Sequence, residues 1–158
     1  MAVHQVPSGA NELIMQGDFP GFPPDLLFAY WVRPDLLRQW WPREAEVEPG
    51  VGGTYSFSWP EQGRRLQGRY TTFDPGKALA FTWSWDNQPP GAPPLTVSLA
   101  FTPVQDGTQL TLTQGPYSES PESQRERAGH LEGWTYFLQK LQSLAPADDW
   151  THSLDDEA

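Results

Sequence analysis

The stretch T-Y-S-F-S-W at residues 54–59 alternates hydroxyl-bearing and aromatic side chains without a break. Successive side chains of an extended strand point to opposite faces, so Tyr55, Phe57 and Trp59 share one face and Thr54, Ser56 and Ser58 the other. One face is therefore buried and the other wetted. The pattern recurs downstream, where Leu79, Phe81, Trp83 and Trp85 alternate with Ala80, Thr82 and Ser84. Leu95, Val97, Leu99 and Phe101 repeat it, and Leu110 with Leu112 marks a last strand. Between these runs lie G-V-G-G (50–53), P-E-Q-G (60–63), D-P-G-K (74–77) and Q-D-G-T (105–108), which carry the residues that tight turns need. A longer, proline-rich loop covers Asp86 to Pro94. Leu66 to Phe73 is a strand in which Tyr70 and Phe73 have opposite parity, so both face inward only across a bulge. Its Arg69 favours an anionic ligand if it points inward; pointing outward, it leaves a neutral, greasy pocket.

Upstream of Glu44 the hydrophobic period is about 3.6 instead of 2. N-E-L-I-M-Q-G-D (11–18) reads as a short strand closed by F-P-G-F-P-P. Pro24-Asp25 and Pro34-Asp35 are helix starts, since proline fits the first turn and an acid meets the positive end of the helix dipole. Leu26, Leu27, Tyr30 and Trp31 form one apolar stripe, and Leu36, Leu37, Trp40 and Trp41 form the next, stopped by Pro42. At the other end, Ser120-Pro121-Glu122 combines an N-cap, a first-turn proline and an acid. The spacing of Leu131, Trp134, Leu138 and Leu141, broadened by Phe137 and Leu144, predicts a helix to about Leu144 packed on the sheet. Gly129 and Gly133 each cost this helix about 1 kcal/mol relative to alanine, which points to a close approach of sheet, loop or ligand there. The order is strand, two short helices, antiparallel meander, long helix: an α+β fold with the helix laid across a curved sheet.

Composition narrows the function. The 158 residues contain ten Lys plus Arg against twenty Asp plus Glu, a net charge of −10, so nucleic acid is an unfavourable partner. There is no cysteine, which excludes disulfides, thiol nucleophiles and thiolate metal sites. Of three histidines, His4 and His152 lie near the termini, leaving His130 in the body, so no metal and no cofactor is expected. Neither a phosphate-cradling G-x-x-x-x-G-K-[ST] loop nor a G-x-S-x-G elbow occurs. No basic-plus-apolar leader and no long apolar run is present, so a cytoplasmic protein without membrane insertion is expected. Five of the twenty acids lie in residues 145–158, an acidic tail anchored by a single Trp150 and expected to be disordered.

Eight Trp, five Tyr and eight Phe are more aromatic side chains than a core requires, and buried Trp and Tyr need partners for N–H and O–H that aliphatic residues do not. They point to an apolar cavity between sheet and C-terminal helix. Tyr55, Phe57, Trp59, Tyr70, Phe81, Trp83, Trp85, Leu99 and Leu112 would line its sheet side, and His130, Trp134 and Phe137 its helix side. His130 is also the candidate general acid or base, with Glu126, Glu132, Thr111 or Thr113 as partner. The alternative to a cavity is a filled core built from the same rings.

Several ordered landmarks resemble a known family. They are P-P-D-L-L-F-A-Y-W-V-R-P-D-L-L-R-Q-W-W (23–41), E-P-G-V-G-G-T-Y-S-F (48–57), G-R-Y-T-T-F-D-P-G-K-A-L-A-F-T-W (68–83), D-G-T-Q-L-T-L-T (106–113) and G-H-L-E-G-W-T-Y-F-L-Q-K-L (129–141). In order and spacing the chain resembles the START/Bet v-like (SRPBCC) helix-grip superfamily, and within it the activator of heat shock protein 90 ATPase homologue-like group. It departs at Thr72, where an acid is frequent, and in the short Pro42-Arg43-Glu44 link. The resemblance implies a helix-grip domain over residues 11–144, between an N-terminal extension (1–10) and the tail (145–158). It implies a cavity but no single activity, since the superfamily includes lipid or hormone carriers, polyketide cyclases, resistance proteins and chaperone cofactors. The leading expectation is binding of a small apolar, aromatic, polycyclic or lipid-like molecule. The alternatives are a cyclase or dehydratase using His130, and an interaction module for a chaperone partner; a homodimer is expected only from the abundance of aromatic residues.

Overall fold

The computed structural model describes residues 3–88 and 94–146; the centre of the proline-rich loop and the tail with Trp150 and His152 lie outside the described residues. Eight strands form one antiparallel sheet: β1 (His4–Val6), β2 (Leu13–Pro20), β3 (Glu44–Val47), β4 (Thr54–Trp59), β5 (Arg64–Asp74), β6 (Ala78–Trp85), β7 (Leu95–Val104) and β8 (Gly107–Gly115). Their order is β1-β2-β8-β7-β6-β5-β4-β3. The chain thus starts at one edge and crosses to the other through two helices, α1 (Pro24–Val32) and α2 (Pro34–Leu37). It then meanders back until β8 pairs with β2. A long helix, α3 (Pro121–Gln142), follows and packs against β2, while α1 packs against β7 and β8.

Alternation places the core as expected. Along β8 the buried residues are Thr108, Leu110, Leu112 and Gln114, and along β7 Leu95, Val97, Leu99 and Phe101. In β5 the register slips between Tyr70 and Thr72, and this bulge lets buried Tyr70 and half-buried Phe73 share the inner face, with ring centroids 5.3 Å apart. Gly68 has a packing reason, because a Cβ there would lie 2.2 Å from the Thr82 carbonyl oxygen. Ser120 caps α3 by accepting from the Ser123 amide at 3.1 Å, and Trp134, Leu138 and Leu141 form its buried stripe.

Three elements differ from the periodicity reading. His4–Val6, inside the expected N-terminal extension, pairs with β2, and Val3 beside it is buried against Gly17; three residues are too few to show a period. The first long strand runs Leu13–Pro20, two residues later than the apolar pattern indicates. α2 ends at Leu37, so Trp40 and Trp41 stand in the turn beyond it, with Trp40 Nε1 donating to the Tyr30 carbonyl at 2.9 Å.

Candidate functional site

A cavity of about 520 Å³ lies between β4–β6 and α3. Its walls hold Trp41, Trp59, Trp83, Trp85, Trp134 and Phe137, with polar groups from Gln62, Arg64, Glu126 and His130. Strand pairing explains the sheet wall: Trp59 is the register partner of Arg64, and Leu66 that of Trp85, so the residues at these positions sit side by side on the inner face. The helix wall follows from α-helical spacing, since Glu126, Gly129, His130, Gly133, Trp134 and Phe137 recur at three and four residues.

Both glycines of α3 face open space. A Cβ built on Gly129 or Gly133 would meet no atom within 4 Å, so no close approach of sheet or loop requires them. Their effect is to widen the cavity along the helix.

Trp41 is the hub of the aromatic wall. Its ring centroid lies 5.1–6.1 Å from those of Trp31, Trp40, Phe57, Trp59, Trp83 and Trp134, and its carbonyl accepts from Trp59 Nε1 at 3.1 Å. Trp59 and Trp83 continue the chain of rings to Trp85 at the rim. There the Arg64 guanidinium carbon sits 3.9 Å above the Trp85 ring, a cation–π stack. Trp134 is oriented by its N–H, which donates to Gln114 Oε1 at 2.7 Å. Trp83 Nε1 is buried with no hydrogen-bond partner among the described residues.

His130 is held edge-on to Trp83, with centroids 5.3 Å apart, and its Nδ1 lies 2.8 Å from Tyr117 Oη. Burial first, and the Arg64 charge second, push its pKa down to about 4, so the imidazole is neutral at pH 7. Burial raises Tyr117 above the usual phenol range, keeping it protonated. The pair shares one hydrogen bond whose direction follows the imidazole tautomer. Burial also raises Glu126.

Of the residues singled out from sequence, Trp59, Trp83, Trp85, His130, Trp134 and Phe137 are brought together around the cavity. Tyr55, Phe57, Tyr70, Phe81, Leu99 and Leu112 are packed in the core instead, each at most 3% exposed. Tyr55 donates to the Thr82 carbonyl, which satisfies its hydroxyl inside the sheet. The partner of His130 is Tyr117; Glu132 is exposed, and Thr111, off the inner face, accepts from Gln16 Nε2. Arg69 is exposed and lines a separate polar depression with Glu46, Glu48 and Gln67. The cavity's cation is Arg64, five residues earlier. Sequence reasoning missed Trp41, Gln62, Arg64 and Tyr117; Arg64 has the parity of Leu66 and Tyr70, a signal that reading β5 back from Tyr70 would have exposed.

The fold and cavity together define an α+β helix-grip protein with an aromatic-walled space under its long helix. Residues 21–145 match the family described as activator of Hsp90 ATPase homolog 1-like protein, and the chain belongs to that family. Among solved structures it is similar to protein MLL2253 from Mesorhizobium loti, at 26% identity over 83% of this chain and 93% of that one, TM-score 0.72. It shares its fold with CalU16 from Micromonospora echinospora (19% identity, 99% and 90% covered, TM-score 0.68). The Aha1 dimer from Colwellia psychrerythraea also has this fold (20% identity, 83% and 92% covered, TM-score 0.69). No curated protein matches the sequence. Among the described residues no helix is long and apolar enough to cross a membrane, and no group of His, Asp and Glu is placed to hold a metal.

Proposed function

We propose that the protein binds one small apolar, aromatic or polycyclic molecule in the cavity under α3. The observation that carries this is the coincidence of five tryptophans and two helical glycines around the same space of about 520 Å³, a volume suited to a small ligand. A filled core would use the space over Gly129 and Gly133; here it is open. Titration with N-phenyl-1-naphthylamine, a neutral apolar fluorophore, tests the reading. Saturable one-to-one binding with quenching of tryptophan emission is expected, and absence of saturable binding to a folded protein would refute it.

A second reading rests on the His130–Tyr117 pair: proton transfer to or from the bound molecule, as in a cyclase or dehydratase. A neutral imidazole beside a protonated phenol is equipped for it. His130→Gln should then abolish turnover of a bound substrate while leaving its affinity nearly unchanged; unchanged turnover would remove this reading. The family description also supports a chaperone partner, and the Colwellia relative a homodimer. The cavity is favoured over both because the exposed large hydrophobic residues among those described, Val51, Val104 and Tyr136, lie on a turn, a strand and a helix rather than on one element.

A further inference from the structure

Resting on the cavity reading above, we infer that the ligand is an amphipathic aromatic anion, whose rings lie among the tryptophans and whose acidic group pairs with Arg64. Arg64 opens β5 on the same face as Leu66 and Tyr70, at the cavity. Arg33 is bound by Asp35 at 3.1 Å, Arg43 by Glu61 at 2.8 Å, and Arg127 donates to the Glu12 carbonyl at 2.8 Å. Arg64, like Arg38, Arg65, Arg69 and Arg125, makes no ion pair or side-chain hydrogen bond with the described residues, and of these five it alone lines the cavity. Its guanidinium carbon instead lies over Trp85, 3.9 Å from the ring centroid. A guanidinium held by an aromatic ring and by no protein acceptor keeps its N–H donors available, and their fork matches a planar or tetrahedral oxyanion.

The surroundings leave one positive group. His130 is neutral, so Arg64 is the one cation among the described residues lining the cavity. Glu126 stands on the α3 wall without an ion pair to Arg64, which directs an incoming anion toward the β5 side of the mouth. Beside a tryptophan wall, a charge at the rim requires only the head of the ligand to be polar and leaves its body against the apolar part of the site.

Two fluorophores with one skeleton separate this inference from the reading beneath it. 8-Anilino-1-naphthalenesulfonate carries a sulfonate that N-phenyl-1-naphthylamine lacks. The wild-type protein should hold the sulfonate about tenfold or more tightly than the neutral probe, the effect of one charge-assisted pair. Arg64→Gln should erase that preference, so that the sulfonate binds no more tightly than the neutral probe. Arg65→Gln, on the outer face of the same strand, should alter the binding of neither. A cooperative thermal melt for each variant confirms that the probes report on folded protein. Saturable binding of the neutral probe, with the same sulfonate preference in wild type and Arg64→Gln, would overturn the anion inference and leave the cavity reading standing. Binding of neither probe would overturn both.

Discussion

Trp41 belongs to no helix or strand, yet it touches the core on one side and the cavity on the other. Replacing it with alanine removes a buried ring from the centre of six ring contacts, and the expected loss is about 3–5 kcal/mol, measured by urea denaturation. His130 makes a prediction of opposite character, about pH. Its pKa is near 4 when folded and near 6.5 when exposed, so the unfolded chain binds the proton more readily. Its favourable contribution is therefore complete above about pH 6.5 and is lost as pH falls toward 4. The pH-dependent part should amount to about 2 kcal/mol after allowance for partial exposure. Comparing wild type with His130→Gln by denaturation at pH 7 and pH 4.5 isolates it from the carboxylates; parallel losses in the two proteins would contradict the assignment.

At the scale of elements, α3 separates stability from function. Because a Cβ on Gly133 meets nothing, Gly133→Ala should stabilise the protein by about 1 kcal/mol, seen as a higher denaturation midpoint. The larger Gly133→Leu should retain the fold and fill the site, lowering probe affinity about tenfold or more. Much of this architecture was legible in the chain. Alternation in β4 and β7, the bulge demanded by Tyr70 and Phe73, and the capped stripe of α3 are local patterns, and each survives in the structure; β6 departs from alternation at Ala80, which is buried along with Leu79 and Phe81. What was not legible depends on curvature. Alternation assigns Tyr55, Phe57, Phe81 and Leu99 to the same inner face as Trp83, but cannot say that α1 and α2 cover one end while the other stays open under α3. Trp40 and Trp41 extend a helical period beyond the point where α2 stops, and a turn residue has no period by which to assign its direction.

At the scale of the whole molecule, seven of the eight tryptophans form one connected set of rings from Trp40 in the core to Trp85 at the rim. Ring-to-ring separations of this size couple their fluorescence, so a molecule bound at the rim should quench emission from the interior as well. The sheet, its two short helices and α3 then frame the space over two glycines. Membership of the family fixes this frame, not the use to which the space is put. The most direct test is a titration of wild type and Gly133→Leu with N-phenyl-1-naphthylamine, followed by tryptophan emission. Saturable one-to-one quenching in wild type, weakened about tenfold in a Gly133→Leu protein that melts cooperatively, is the predicted result. Equal binding by both proteins, or none by the wild type, would contradict a ligand site beneath α3.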